Sequence, residues 1–591
     1  CGPARCNICR SHHHFERLIK SLYVPHELPD YLEALPHCTA YFDTKKHQAM
    51  VLSLMSLPEH LTWNESVTSP NMKNLRATLI GIMSKNREYV VPILQVVVGH
   101  LTETPPANIK DPMKRLEAEN KLTNTIRVIQ DIIKRLPNAH KILCSSLHQT
   151  FPYHGAQLVQ SVSYLKNVLR IANTSADMQE KILSMVCDKL VDMDVRLSVE
   201  GDWTMDEDEE DEDEDGEDVH AILSNWMQFE LDDVMKKSIA NKTIDLTDDD
   251  QAKHKSLFYA LKLDALMCAL FHYFETCTKL KSSKKIMHNI FRSIVNVFNK
   301  FILRTHQLHT TQFLMFYVCS LSHEYSKEFI DFLLAKVFDK QLHRRRRRIS
   351  LSYLASFLAR AKFLDVHLVM NALQALIHSC DDYLKTTRIH EHEYLLEKHY
   401  VFYYNVQCIF YVLCYRIDAL MHAEPTFLQS HAACLQSIID SPFQPFSYIA
   451  RDIVLQFARA ALHYNLMNVS GAVQRRYQGR KRLVSHHAHK ESLMKVYFPF
   501  DPYVLQASIK WIHPIYNAWS EETYNISDDD LIQGHDRFQN RYASPKKLKV
   551  DHSLFDDDMM AHSFESELNI TATPEKTMMD DEFYYGKCDE Q

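Results

Sequence analysis

The chain has 591 residues, room for several cores by the rough rule of about 100–200 residues per domain. Its 10 glycines fall far below the usual share of about 7%, which argues against β-hairpin folds, dinucleotide-binding units and P-loops, since each needs glycine's freedom at tight turns. A net charge of −8 excludes a surface that is basic throughout, as coating of nucleic acid would require.

In chain order, residues 1–40 form a segment expected to be disordered, and 41–200 an N-terminal set of helical repeats. Amphipathic helices are predicted over 75–83 and 89–101, then over 119–136, where Ile126, Val128, Ile129, Ile132 and Ile133 share helical spacing. Leu136-Pro-Asn138 ends that helix, because proline disfavours helical geometry in the residue before it and cannot donate within a helix. Another pair is predicted over 159–172 and 178–195. The short polar run Asn173-Thr-Ser-Ala176 joins them and sets neighbours antiparallel.

Residues 201–250 include ten unbroken carboxylates at 206–215. Their mutual repulsion opposes packing, and a disordered acidic loop is expected. From 251 to 519 the helical pattern resumes, with helices predicted over 257–276, 286–302, 311–320, 327–338, 349–361, 364–383, 394–420, 426–439 and 447–467. Pro499 and Pro502 force a bend. Phe498, Phe500, Val504, Ile509, Ile512 and Ile515 then read as a terminal helix that caps the array. Residues 520–591, rich in Asp, Ser, Thr and Met, read as a disordered tail.

Helix pairs recur roughly every 40 residues, in the HEAT and armadillo range, although no consensus repeats. The expected fold class is all-α: a HEAT-like helical-repeat solenoid interrupted by a disordered acidic loop. Each pair would bury its apolar faces by leaning on its neighbour. An irregular helical bundle is the alternative that these cues leave open.

The 14 cysteines are mostly single and lie in apolar stretches, as with Cys187, Cys268 and Cys319. That usage points to buried thiols in a reducing compartment rather than a disulfide framework. No run reaches the 18 or so apolar residues of a membrane span, and no signal peptide is visible, in a chain that begins at Cys1 rather than Met. A soluble intracellular protein without membrane contact is expected.

The sequence carries no recognisable reaction centre. His390-Glu-His-Glu393 lacks the His-Glu-x-x-His spacing of a zinc protease, and His392 and His399 are too far apart in sequence to share a metal easily. Cys6-Asn-Ile-Cys9 with His12, His13 and His14 has metal-like spacing, but no second pair closes a four-ligand site. No nucleophile elbow or paired-carboxylate motif is present. The expectation is no catalysis, no metal and no cofactor.

Charge is more informative. Arg344, Arg345, Arg346, Arg347 and Arg348 are consecutive at the start of a predicted helix. They read either as a solvated turn or partner for the chain's own acidic loop, or as a contact for phosphate of nucleic acid or of a modified partner. No aromatics interleave, so any DNA contact would be weak and sequence-independent. The acidic loop is either a spacer or a mask for a basic surface. Ser544 and Thr573, each before proline, are candidate phosphosites. Lys546, Lys547 and Lys549 form a candidate nuclear localisation signal, with Arg475-Arg476 and Arg480-Lys-Arg482 as a second.

Four strings occur in a fixed order: Leu169-Arg-Ile171 leading into Asp188-Lys-Leu-Val-Asp-Met-Asp-Val195; Phe313-Leu-Met-Phe-Tyr-Val-Cys-Ser320; Ser356-Phe-Leu-Ala-Arg-Ala-Lys-Phe363; and Tyr497-Phe-Pro-Phe-Asp-Pro502 with Trp511-Ile-His-Pro-Ile-Tyr-Asn-Ala-Trp519. Together they resemble the RNA polymerase I-specific transcription initiation factor family, over about residues 74–519. Phe357, Arg360, Lys362, Phe498, Pro499, Phe500, Asp501 and Pro502 lie in the two last strings. The resemblance implies a non-catalytic adaptor of nucleus and nucleolus. Its N-terminal half would dock on RNA polymerase I, and other regions would contact the promoter-bound selectivity complex. It also implies a homodimer when free, and a serine patch for docking, for which Ser145, Ser146, Ser161, Ser163 and Ser184 are the candidates. A helical-repeat nuclear transport or trafficking scaffold is the alternative reading.

Overall fold

A computed structural model describes residues 19–20, 22–42, 47–103, 109, 111–200, 248–280, 283–305, 308–387, 398–467, 469–475, 497–500 and 502–518. Among them no β-strand forms, and an isolated antiparallel bridge joins Ala361 to Tyr516. The protein is all-α, as its glycine-poor, leucine-rich sequence predicts. The acidic stretch of 206–215 and the tail from 520 lie outside the described residues. No helix among those described is long and apolar enough to cross a membrane.

The chain divides into two compact units. The first holds the described residues up to Ser379, with Asp418–Ala423 and those of Tyr497–Ala518. The second holds those of Cys380–Ile417 and Glu424–Val496.

The helices of the first unit are α1 (Leu28–Cys38), α2 (Gln48–Met55), α3 (Pro70–Lys85), α4 (Val90–Gly99), α5 (Pro112–Arg135), α6 (His140–Thr150), α7 (Leu158–Ala172), α8 (Ala176–Glu200), α9 (Asp248–Thr278), α10 (Ser283–Lys300), α11 (Phe313–Ser320), α12 (His323–Phe338) and α13 (Arg344–Arg360). Their ends follow local chemistry. Pro112 opens α5, and the Asp111 carboxylate accepts the Met113 N–H at 2.9 Å. Leu136, ahead of Pro137, leaves the helical region and stops α5 where expected. Ser322 caps α12 by accepting the Glu324 N–H at 3.2 Å.

From α3 to α9 each helix packs on the next but one: α3 on α5, α4 on α6, α5 on α7, α6 on α8, α7 on α9, α8 on α10 and α9 on α11. Packing between consecutive helices, such as α7 with α8 and α9 with α10, interleaves with that series. Such a ladder is the signature of stacked helix pairs, each burying its apolar faces on its neighbours. It runs unbroken across 201–247, since α8 packs directly on α9.

Helices α14 (Val366–Thr386) and α15 (Tyr400–Ala423) contribute to both units, and the second unit adds α16 (Pro425–Ile439) and α17 (Arg451–His463). Its core is aromatic. Phe410 meets Phe446 and Phe457 at ring distances of 5.1 and 4.5 Å, and Tyr403 donates its hydroxyl to the Phe443 carbonyl at 2.8 Å. After α17 the chain turns through Asn465 at φ 49°, a left-handed position that asparagine tolerates.

The structure corrects three expectations. Residues 1–40, read as disordered, contain α1, whose Leu28, Leu32 and Leu35 are buried and which packs on α3. Pro29 and Pro36 hide its periodicity from a sequence reading. Helices α2 and α6 have no counterpart among the predicted elements, α6 because it follows the Pro137 stop after a single 3₁₀ turn, Pro137–Ala139. The expected terminal helix is instead one turn, α18 (Ile509–Ile512), which Pro514 keeps from continuing because it cannot donate a helical hydrogen bond, followed by a 3₁₀ turn, His513–Ile515.

Candidate functional site

The four ordered strings, far apart in sequence, meet at one place in the first unit. Asp194, in the first string and on α8, is 1% exposed. Its carboxylate accepts the N–H groups of His309 at 3.2 Å, Thr310 at 3.1 Å and Thr311 at 2.7 Å. These N–H groups lead into α11, the second string, and a negative charge beside a helix start is favourable. The α11 rings then form a hub. Phe316 lies 5.7 Å from Phe357 and 5.4 Å from Phe363 of the third string, and 5.1 Å from Phe500 of the fourth. Phe313 meets Phe500 at 5.4 Å and Tyr503 at 4.6 Å, both edge-on, the geometry aromatic pairs prefer.

The fourth string crosses this hub as an extended strap. Gln312 donates to the Pro499 carbonyl at 2.5 Å, and the Phe500 N–H donates to the Ser356 hydroxyl at 2.9 Å. Asp264 of α9 accepts the N–H of Ala507 at 2.7 Å and of Ser508 at 2.9 Å, and also the Ser508 hydroxyl. Burial pushes the Asp264 carboxyl upward, and these donors oppose that shift. At the far end the strap zips onto the end of α13. Asn517 donates its N–H to the Arg360 carbonyl at 2.7 Å, and Lys362 donates its N–H to the Ile515 carbonyl at 3.0 Å. The Arg360 side chain, 5% exposed, lies 5.4 Å from the Tyr516 ring and donates to the Asn517 carbonyl at 3.2 Å.

This arrangement is a clasp rather than a reaction centre. Its carboxylates are occupied by backbone N–H groups, and its arginine is stacked and hydrogen-bonded. Phe357, Phe498, Pro499 and Phe500 are buried, whereas Lys362 and Pro502 are exposed. Asp501 lies outside the described residues.

The match to known proteins follows the same course. The family model for RNA polymerase I specific transcription initiation factor RRN3 matches residues 14–523. The chain belongs to this family. It is 29% identical over 414 residues to "RNA polymerase I-specific transcription initiation factor rrn3" of Schizosaccharomyces pombe, covering 68% of this chain and 66% of that protein. It is 26% identical over 437 residues to "RNA polymerase I-specific transcription initiation factor RRN3" of Mus musculus, covering 69% of this chain and 65% of that protein. The chain thus spans just under two thirds of the length of these two relatives. A crystal structure titled RNA Polymerase I Transcription Initiation Factor Rrn3 shares the fold, with a TM-score of 0.63 at 17% identity over 83% of this chain and 89% of that one. The relatives are named as initiation factors, neither as enzymes nor as transport carriers.

Outside the clasp, the five arginines sit on the first turns of α13. Arg344, Arg345 and Arg346 are exposed, and Arg347 and Arg348 are half-buried. Arg347 donates through Nε to the Val337 carbonyl at 2.8 Å, so it braces the α12–α13 turn. Five cations at a helix start oppose the helix dipole, so their placement does not serve helix stability.

The serine candidates separate by burial. Ser145 on α6 is exposed, and Ser163 on α7 and Ser184 on α8 are half-buried. Ser146 and Ser161 are buried, and Ser161 donates its hydroxyl to the Gln157 carbonyl at 3.2 Å. Ser544, Thr573, Lys546, Lys547 and Lys549 lie outside the described residues, as do the metal-like histidines and cysteines of the first 18. Arg475 of the second basic run pairs with Asp440 at 2.9 Å.

Sequence reasoning missed three charged residues that hold the first unit together. Lys262 and Asp264 interrupt the apolar helix that continues through Phe271, and a charged pair inside such a run is the signal that flags them. Lys121 is buried between Glu59 and Glu103, at 2.6 Å from each. Glu59, His100 and Glu103 have ligand-type atoms within 4.8 Å of one another, but the Lys121 ammonium already pairs with both carboxylates. Burial, then the nearby Lys121 charge, lower the His100 pKa to about 4.

Proposed function

We propose that this protein is a non-catalytic initiation factor for RNA polymerase I, which binds the polymerase and links it to the promoter-bound selectivity complex for ribosomal RNA synthesis. The observation that carries this reading is the family match along residues 14–523, whose ordered strings meet in one clasp. A chain in which distant motifs stabilise one shared scaffold is built to keep separated surfaces in register. Holding two large partners at once raises their effective concentration for each other.

In this reading the α6–α8 face, with Ser145, Ser163 and Ser184, docks on the polymerase. Phosphorylation of such serines would add up to about two negative charges each and weaken a complementary surface. The exposed Arg344, Arg345 and Arg346 meet phosphate, of nucleic acid or of a modified partner. The array is HEAT-like in its pairing. The protein works in the nucleus and nucleolus, with Lys546, Lys547 and Lys549 as import signal and Ser544 and Thr573 as regulatory phosphosites. When free it pairs with a second copy.

Affinity purification of the tagged full chain from nuclear extract tests the reading. Recovery of polymerase I subunits together with promoter-selectivity subunits is the expected result. Recovery of neither would overturn it.

A further inference from the structure

The loop joining α6 to α7 carries Tyr153, whose 69% exposure is high for an aromatic ring. The loop beneath it is firmly held. Phe151 is buried edge-on against Tyr164 at 5.4 Å, and the Tyr164 hydroxyl donates to the Leu147 carbonyl at 2.6 Å. The Ala156 N–H closes a turn onto the Tyr153 carbonyl at 2.9 Å. Most telling is Lys262 of α9, 1% exposed. Its ammonium donates to three carbonyls of the loop, Tyr153 at 3.1 Å, His154 at 3.0 Å and Ala156 at 2.8 Å. The Tyr153 ring lies over Gly155, where an added Cβ would stand 2.7 Å from the ring edge.

From this fixed loop a strip of rings runs across the surface. Tyr153 meets His154 at 5.9 Å, His154 meets Tyr259 at 5.8 Å, and Tyr259 meets Phe258 at 6.0 Å. An exposed aromatic on an already ordered backbone loses little entropy when a partner covers it, the circumstance in which tyrosine makes a binding hot spot. The cation below the strip faces inward onto carbonyls, so it gives no backbone contact to a stacked nucleic-acid strand. A protein surface fits better: an apolar pocket with a hydrogen-bond acceptor for the phenol. The loop also joins the helices that carry Ser145 and Ser163.

We propose that Tyr153 is an anchor by which the protein docks on RNA polymerase I, and that Lys262 positions it. This rests on the polymerase-docking reading above. The test measures binding of the full-length chain to purified RNA polymerase I, for wild type, Tyr153→Ala, Tyr153→Phe and Lys262→Met.

Tyr153→Ala should bind at least tenfold more weakly with an unchanged thermal midpoint, and Tyr153→Phe should lose only the hydroxyl's share. Lys262→Met should weaken binding in the wild-type background and add nothing once Tyr153 is alanine. Wild-type binding with Tyr153→Ala within twofold of it overturns the anchor and leaves the docking reading standing. An equal loss from Lys262→Met in both backgrounds overturns the positioning role. No wild-type binding overturns both the inference and the reading beneath it.

Discussion

Asp264 holds Ser508, 244 positions further along the chain, by both its backbone N–H and its hydroxyl. One buried carboxylate thereby fixes the strap to α9. Replacing Asp264 with alanine leaves two N–H groups and a hydroxyl without this acceptor, at about 1–3 kcal/mol for each group that stays unsatisfied. The urea midpoint of Asp264→Ala should fall by the equivalent of roughly 2–4 kcal/mol, with faster protease cleavage between 497 and 518. Asp264→Asn keeps one acceptor oxygen and should lose less. An unchanged midpoint for the alanine variant would show that the strap does not depend on this bond.

Arg360 and Lys362 are two positions apart in the third string yet have opposite surroundings. Arg360→Ala removes a buried guanidinium that stacks on Tyr516 and holds the Asn517 carbonyl, so it should cost about 1–3 kcal/mol. Arg360→Lys should recover little, because an ammonium has neither the planar face nor the fork. Lys362→Ala, an exposed change whose backbone N–H bond survives, should stay within about 0.5 kcal/mol of wild type. Chemical denaturation of the three variants checks the contrast. Equal effects at both positions would contradict the burial difference.

These two neighbours show what a sequence can and cannot disclose. The helical period and the proline stops were legible, because residues such as Ile129 and Ile132 report their own buried face and Pro137 its own constraint. The convergence of the strings was not. Ser356 and Phe500 are 144 positions apart, and nothing local to either states that one donates to the other. The strap misled for a related reason. Phe500 is apolar because it crosses a hub of rings from an extended strap, not because it lies on one face of a terminal helix. Ser146 and Ser161 are buried, which was not legible because a serine inside a helix gives no sign of whether it faces solvent.

His100 gives the protein an acid-sensitive element. In the folded state its imidazole stays neutral down to about pH 4, held there by burial and by the Lys121 cation, against an ordinary value of 6.5 in the unfolded chain. Between those values the unfolded state binds the additional proton, so stability should decline as pH falls from 6.5 toward 4 and then level off. At about 1.4 kcal/mol per pH unit the loss is bounded near 3.5 kcal/mol. His100→Gln should flatten this part of the stability profile. Lys121→Met, by removing a cation while Glu59 remains, should raise the His100 pKa, as imidazole titration by NMR would register. A lowered or unmoved pKa would refute the assigned role of Lys121.

The arginines at the start of α13 allow a test in which stability and binding move in opposite directions. Arg344, Arg345 and Arg346 are exposed at the positive end of the helix dipole, whereas Arg347 braces the Val337 carbonyl and should be left intact. Changing the three exposed residues to glutamate places negative charge where the dipole favours it, so the thermal midpoint should hold or rise slightly. If these side chains meet phosphate, affinity for a phosphate-bearing partner should drop. With duplex DNA as probe, the slope of log affinity against log salt should shrink by about 0.9 for each phosphate that the variant no longer neutralises. Arg347→Met should do the reverse, lowering the midpoint with little change in the salt slope. A triple variant that keeps the wild-type affinity and salt slope would reduce the cluster to a solvated turn.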